Sequence, residues 1–470
     1  MRGPPLGAGA GTCYGCQMLA DTEELRRLYE DHIDRLVQST GTVLVEHGLD
    51  ALVISAGTPT PKSPFDDQDH PFRPTPAFAH WVPLREPDSA VVIEPGKRPR
   101  LVRARAGGFW DAPPRVESHH IWRALDVVET PAERVAGELP SLRRAAFIGD
   151  DPARARAFGF PEAAINPAAL VSALHALRVT KSDYERACMA EAGRVAATGH
   201  VRLGEAFAHG GRSELALHLL YLEATGQDDP DTPYKNIVAQ GENAATLHHV
   251  GYDREPRSAP STSLLVDAGA TCLGYASDVT RTWVRGEGGA ADAFAELVRR
   301  IDALQQTLVA EITPGTAFEA LHDRAHELLA EVLCDMELAS AEPHTLVENG
   351  VTRSFFPHGL GHGIGVQVHD VGHRPHDPRP DNPFLRNTRV IEAGQVFTIE
   401  PGCYFIPSLM DELRARPAAA DVNWSAIDAL RRFGGVRVED DVAVTDEGAR
   451  NLTRPAMAEL LSSGSDRAGT

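Results

Sequence analysis

Cysteine is scarce in this chain of 470 residues: six thiols, at positions 13, 16, 188, 272, 334 and 403. A small disulfide-stapled scaffold is excluded, and thiols set in apolar runs such as ERACMA and ATCLGY read as the reduced core groups of a cytoplasmic protein. Cys13 and Cys16 form a lone C-x-x-C with no second pair and no following βαβ pattern, so they read as neither a zinc nor a redox motif. Positive charge is the minority sign, 46 Lys plus Arg against 66 Asp plus Glu, for a formal −20. Nucleic acid and anionic membrane both demand a basic face, so neither is expected as a partner. No run approaches the ~18 apolar residues that a membrane helix needs. The opening MRGPPLGAGAGT is too rich in Gly and Pro for the apolar part of a signal peptide. Residues 1–20 are expected as a disordered extension, with Met18 the expected true start, and residues 461–470 as a disordered tail.

What remains is long enough for two or three domains. Asp21-Thr22-Glu23-Glu24 opens a helix whose apolar positions Leu25, Leu28, Tyr29, Ile33, Leu36 and Val37 recur with helical spacing, and Gly48 stops it. Strands are expected at 50–55 and 144–150, and 89–104 reads as a hairpin turning at Pro95-Gly96. These make an α/β domain over residues 21–165, and a further helix is expected over 167–178, at the boundary. The second domain, 166–460, begins with a helix capped at Ser182 that runs to Gly210-Gly211. A helix over 213–226 comes next, then two more around 290–312 and 316–334. Short strands lie between and after them, and a sheet wrapped outside by helices is the layered architecture this α+β pattern suggests.

Those short segments carry the chemistry. LLVDAGA (264–270), ASDVTRTW (276–283), HGLGHGIG (358–365), VFTIEPG (396–402) and GGVRVEDD (434–441) each read as a strand or strand edge and deliver Asp267, Asp278, His362, Glu400 and Glu439. Four carboxylates and one imidazole suit two divalent cations, and the histidine favours Mn, Co or Zn over Ca or Mg. Any single Asp-Ala-Gly could be a turn, and Ser277-Asp278 could cap one. Two aspartates eleven residues apart across Gly274, with the downstream set, point instead to metal-assisted hydrolysis. Alternation along 434–439 places Arg437 on the face of Glu439, where its charge would hold that carboxylate ionised. Asp440 and Asp441 are expected to be solvated. His373 and His376, among Pro and Asp, are expected as exposed loop residues.

The order Asp, eleven residues, Asp, then His, Glu and Glu resembles the pita-bread (M24-type) metallopeptidases. Within them the chain is most similar to the bacterial Xaa-Pro dipeptidases, or prolidases, which are related to organophosphorus acid anhydrolases. FDDQDHPFRPTPAFAHWVPL (65–84) looks like the creatinase-like N-terminal domain of that group, and PYKNIVAQGENAATLHH (233–249) like the entry to its catalytic domain.

The resemblance implies two divalent ions per chain, Mn²⁺ before Zn²⁺ or Co²⁺, and hydrolysis of an Xaa-Pro dipeptide by a hydroxide they share, releasing proline. Asp267, Asp278 and Glu439 would serve one ion; Asp278, His362, Glu400 and Glu439 the other. It implies further that His369 hydrogen-bonds the reacting carbonyl, that Glu400 shuttles a proton, and that His358 orients without ligating. His248 would face the substrate, beside His249 where relatives usually carry Tyr. Tyr234 would shape the pocket, and Arg386, fourteen residues before Glu400, would pair with the proline carboxylate. A homodimer is implied as well. The alternatives are an Xaa-Pro aminopeptidase, phosphotriester hydrolysis as a side reaction, and a non-catalytic peptide-binding module, against which stands that such modules have lost ligands while this chain keeps all five.

Overall fold

The computed structural model describes residues 22–105, 120–259 and 262–465; Cys13, Cys16 and Met18 lie outside the described residues. The first helix, Glu23–Glu46, starts where the Thr22 hydroxyl accepts from the N–H of Leu25 at 3.1 Å, and ends before Gly48, whose φ is 68°. It lies on a five-stranded sheet ordered β4-β3-β2-β1-β5, made of β1 (Ala51–Ser55), β2 (Ala90–Ile93), β3 (Arg100–Arg105), β4 (Asp126–Pro131) and β5 (Ala145–Ile148). β2 and β3 form the expected hairpin, with Ala90 opposite Val102, while β5 runs parallel to β1 and β4 parallel to β3. β4 has no strong signal in the sequence: it is an edge strand with only Thr130 buried, so alternation is missing.

The helix Ala168–Leu177 leads into a five-residue link and then the long helix Asp183–His209. The latter opens with a reciprocal cap, Ser182 accepting from the Glu185 N–H and Glu185 accepting from the Ser182 N–H at 2.8 Å. His32 of the first helix bonds Ser182 Oγ at 2.8 Å and the carbonyl of His80 at 2.9 Å, and Arg35 donates to the carbonyl of Thr180 at 2.8 Å. The N-terminal layer is thereby fixed to the start of the second half.

Two three-stranded antiparallel sheets make that second half. One, ordered β10-β7-β6, contains β6 (Ile237–Gln240), β7 (Thr262–Asp267) and β10 (Thr280–Arg285), with the short β8 (Thr271–Cys272) and β9 (Tyr275–Ala276) forming a hairpin between β7 and β10. The other, ordered β11-β14-β15, contains β11 (Val396–Ile399), β14 (Asp440–Thr445) and β15 (Gly448–Asn451); β12 (Gly402–Tyr404) pairs separately with β13 (Gly435–Arg437). A bridge between Thr280 and Glu439 joins the two sheets. The helices Ala290–Glu311 and Phe318–Asp335 cover the outside, the first burying Phe294, Leu297, Ile301, Leu304 and Leu308 at three- and four-residue spacing. Each such side chain contributes about 1.5–3 kcal/mol on burial. The tail expected to be disordered from residue 461 is instead helical to Ser465, as the end of the helix Arg454–Ser465.

Candidate metal centre and active site

Each candidate ligand except His362 sits where a buried strand begins or stops. β7 buries Leu264, Leu265 and Val266 and ends at Asp267, which lies opposite Thr280 on β10 and Ile237 on β6. Asp278 comes just after the β8–β9 hairpin. The two arms can close only because residue 269 is glycine: a Cβ there would lie 2.0 Å from the Ser277 carbonyl oxygen. His362 is not on a strand, contrary to expectation. It lies on an irregular segment tied against β11, its N–H donating to Thr398 Oγ1 at 3.1 Å and its carbonyl accepting from the Thr398 N–H at 2.9 Å. A Cβ on Gly361 would lie 1.9 Å from the Thr398 carbonyl oxygen, so glycine permits that approach. Glu400 comes directly after β11, and Glu439 stands between β13 and β14.

The five side chains converge on one cavity of about 860 Å³, also lined by Tyr234, His248, His358, His369, Arg386 and Arg437. One donor atom each from Asp278, His362 and Glu439 lie within 4.8 Å of one another. His362 donates from Nδ1 to the carbonyl of Gly363 at 3.2 Å, which leaves Nε2 facing Asp278 at 3.5 Å and Glu400 at 3.8 Å. The Tyr234 hydroxyl donates to Asp278 Oδ1, and Thr280 donates to Glu439 Oε2 at 2.7 Å.

The electrostatics test whether cations fit here. Burial pushes the Glu400 carboxyl up to about 7 against the pull of His362 and Arg437, with Asp278 and Asp267 adding to the rise. Burial also lifts Glu439 well above the carboxylate range, helped by Asp278, Glu400 and Asp267. Asp267 is raised by burial, with Arg437 opposing. Asp278 alone is lowered, its burial outweighed by His362 and Tyr234. Four carboxylates so close and so dry cannot all ionise unless positive charge sits among them. Asp267 Oδ1, buried and without a hydrogen-bond partner, asks for the same thing. Hard oxygen donors with one free imidazole nitrogen fit divalent ions.

Arg437 makes no direct bond to Glu439, and its pull on that carboxyl is outweighed by burial and the neighbouring carboxylates. Its guanidinium donates to Asp267 Oδ2, to Thr280 Oγ1 at 3.2 Å and to the Tyr404 hydroxyl at 2.9 Å, and reaches Glu439 only through Thr280. Tyr404 in turn bonds His358 Nε2 at 2.9 Å, and His358 Nδ1 bonds the Gly359 carbonyl at 2.8 Å. Both ring nitrogens of His358 are therefore engaged, and burial holds the ring neutral, down to about 3. Nothing in GCYF marks Tyr404 in the sequence as part of this chain of bonds.

Three other expectations fail. Asp440 and Asp441 are fully buried, not solvated. Asp440 pairs with Arg281 at 2.6 Å and Arg454 at 3.0 Å, and Asp441 Oδ2 accepts the backbone N–H of Asp278 at 3.1 Å. His373 is buried too, its ring packed where a Cβ on Gly363 would lie at 1.9 Å, whereas His376 is exposed as expected. Polarity and nearby prolines suggest a surface loop, but the ring fills a gap that Gly363 leaves.

The remaining residues meet at the cavity rim. His369 sets its ring edge-on to His362, centroids 4.4 Å apart, and accepts from the Arg386 guanidinium on Nδ1 at 3.3 Å. Burial, then His362 and Arg386, push His369 down to about 4. A neutral ring that accepts on Nδ1 carries its proton on Nε2. The neighbouring Asp370 is buried with Lys181 at 2.9 Å and with Arg178, both from the link between the two halves, so that link helps anchor the segment that carries His369.

Two family descriptions match this chain: metallopeptidase family M24 over residues 187–446, and the N-terminal domain of Xaa-Pro dipeptidase over 27–176. The chain belongs to metallopeptidase family M24. It is 39% identical to an Xaa-Pro dipeptidase of Shewanella woodyi, the alignment covering 92% of this chain and 99% of that one. To an Xaa-Pro dipeptidase of Marinobacter nauticus it is 41% identical, over 92% and 99%. Among solved structures it resembles the proline aminopeptidase P II of Yersinia pestis, with a TM-score of 0.69, 24% identity and coverage of 92% and 96%. The aminopeptidase PepP of Pseudomonas aeruginosa gives 0.70, 23%, 93% and 99%. Such likeness shows a shared fold: this M24 metallopeptidase has the two-part architecture expected, an α/β N-terminal domain before a pita-bread catalytic domain. It is a peptidase of a metal-dependent family. No helix among the described residues is long and apolar enough to cross a membrane.

Proposed function

We propose that this M24 peptidase is an Xaa-Pro dipeptidase that holds two divalent ions on Asp267, Asp278, His362, Glu400 and Glu439 and releases proline from the carboxyl end of its substrate. The reading is carried by one arrangement: the five-residue donor set at the base of a single cavity, with the exposed guanidinium of Arg386 at the rim. Its near full-length likeness to proteins named Xaa-Pro dipeptidase supports the same reading. Domain limits of 21–165 and 166–460 are part of the proposal, beside family matches that run over 27–176 and 187–446. Manganese as the ion, a homodimer and a cytoplasmic location are proposed from the resemblance.

Bound there, divalent ions supply Lewis acidity and a water acidic enough to attack near neutral pH. Asp278 and Glu439 would be the ligands shared between the two ions. Arg386 pairs with the terminal carboxylate by the two-point match a guanidinium offers. His369, donating from Nε2, stabilises the negative oxygen that develops on the carbonyl before proline. His248 faces the same space across the cavity, and Tyr234 closes it beside Asp278. Glu400 is assigned to take a proton from the attacking water and pass it to the departing proline nitrogen. The imide before proline has no N–H, so a site that needs no amide donor from its substrate suits it.

Metal-loaded enzyme should hydrolyse an Xaa-Pro dipeptide with higher kcat/KM than an Xaa-Pro-Xaa tripeptide of the same first residue, and metal-free enzyme should cut neither. The reverse preference would favour an Xaa-Pro aminopeptidase. Metal uptake with neither peptide cleaved would sink the proposal.

A further inference from the structure

Glu214 is a carboxylate with no solvent exposure, in the first turn of the helix Glu214–Thr225, and the chemistry above makes no use of it. A buried carboxylate without partners costs several kcal/mol; this one has four. Oε1 accepts from the backbone N–H of Gln240 at 2.7 Å and from Asn243 Nδ2 at 2.8 Å. Oε2 accepts from the backbone N–H of Asp253 and from His249 Nε2, both at 2.8 Å. All four donors belong to one stretch, 240–253, and the helix start adds a favourable dipole.

That stretch is also a wall of the active-site cavity. Leu247, His248 and Val250 line it, while His249 between them turns inward, only 15% of its side chain exposed, to meet Glu214. Residues 247–253 form neither helix nor strand, so no ladder of backbone bonds fixes their course. Beyond the Tyr252 hydroxyl's bond to the Asn236 carbonyl at 2.6 Å and the Leu215 N–H to the Asp253 carbonyl at 3.1 Å, their register rests on what Oε2 holds: an imidazole beside the cavity residues and an amide just beyond them.

We infer that Glu214, acting through His249 and the Asp253 amide, is the positioning residue that sets the Leu247–Val250 wall and with it the place of His248. The kinetic consequence rests on the Xaa-Pro reading; the structural one does not. Glu214→Gln would put an amide N–H₂ against donors whichever way it turns, the Asp253 and His249 N–H groups on one side or the Gln240 N–H and Asn243 amide on the other. His249→Leu removes one donor outright, whereas His249→Gln keeps an N–H within similar reach.

The test uses full-length, metal-loaded enzyme and two readouts, hydrogen exchange of the amides in 246–253 and the kinetics of Xaa-Pro dipeptide hydrolysis. Glu214→Gln and His249→Leu should each speed that exchange and raise KM about tenfold, the factor for about 1.4 kcal/mol of lost ordering, with kcat and metal content little changed. His249→Gln should restore both. Wild-type exchange in both disruptive variants, or faster exchange with unchanged KM, would overturn the inference. If Glu214→Gln does not fold, the two His249 variants decide it. If the wild-type enzyme cleaves no Xaa-Pro dipeptide, the proposed reaction fails, and the exchange readout alone judges Glu214.

Discussion

Arg437 binds Asp267 directly and Glu439 only through the hydroxyl of Thr280. One guanidinium, 4% exposed, thus sets two candidate ligands on different sheets and, through Tyr404, the ring of His358 as well. Such a planar, three-way fork is something a lysine cannot reproduce.

Arg437→Lys should therefore weaken metal binding and lower activity, even though the charge is kept. Arg437→Leu should do more: it leaves Asp267 buried without its cation, a loss of about 3–5 kcal/mol. Urea unfolding of the metal-free variants and metal titration of the folded ones check this. If Arg437→Lys binds metal as tightly as the wild type, the fork is not what orders Asp267.

Asp278 and Glu439 carry the test of a shared pair of ions. Their donor atoms and that of His362 lie within 4.8 Å, close enough to share one ion, and the proposal gives Asp278 and Glu439 to the second ion as well. Asp278→Asn or Glu439→Gln should lower occupancy at both sites, whereas Asp267→Asn should spare the second ion better. Elemental analysis after dialysis measures the stoichiometry; two tightly held ions per chain in Asp278→Asn would remove the bridging role.

Local signals made the donor set legible and left its support hidden. Asp267, Asp278 and Glu400 stand at the ends of short apolar runs, which sequence displays directly, and the Ser182–Glu185 cap is a pattern over four residues. Arg437 was visible as a charged residue near Glu439, yet alternation within one strand cannot say that Asp267, on another sheet, is its partner. Asp440 and Asp441 look like a solvated acidic pair because sequence counts charge and cannot see Arg281 and Arg454 arriving from elsewhere. β4 leaves little mark in the sequence because an exposed edge strand has little alternation to display. The contacts of Tyr404, Lys181 and Glu214 are long-range in the same sense, and only the fold reveals them.

Two buried histidines on the helix Phe318–Asp335 should make the protein sensitive to acid. His322 and His326 stack edge-on with centroids 4.8 Å apart, and both are buried. Burial pushes His322 down to about 4, against the pull of Asp323, and pushes His326 to about 2, with the charge of His322 adding to the effect. The unfolded chain takes up protons on these rings below about pH 6.5 while the folded chain keeps them neutral, so stability is full above that value and is lost as pH falls toward 4. At pH 5 each ring should cost about 2 kcal/mol. In the metal-free protein, urea midpoints at pH 7.5 and pH 5 should differ less for His326→Leu than for the wild type. Equal differences would mean the ring is protonated in the fold.

Arg386 links substrate length to catalysis. It lines the cavity from its exposed rim, and its Nη1 lies 3.3 Å from His369 Nδ1. A dipeptide ending in proline brings a carboxylate to this guanidinium; a tripeptide brings an amide there, which carries no charge and leaves the cation unpaired. Arg386→Ala should thus raise KM for Xaa-Pro and narrow the preference for dipeptide over Xaa-Pro-Xaa tripeptide, with metal content unchanged. The bond to His369 adds a second effect. Without a donor at Nδ1 the neutral ring is free to move its proton there, and Nε2 then ceases to donate, so kcat should also fall. His369→Ala sets the limit of that fall, about 2–4 kcal/mol for losing one such donor, again with metal retained. Arg386→Lys separates the two contributions: an ammonium can satisfy His369 or a carboxylate but has no planar fork for both. If Arg386→Ala leaves the dipeptide-to-tripeptide ratio of kcat/KM unaltered, length selection lies elsewhere in the cavity and Arg386 serves His369 alone.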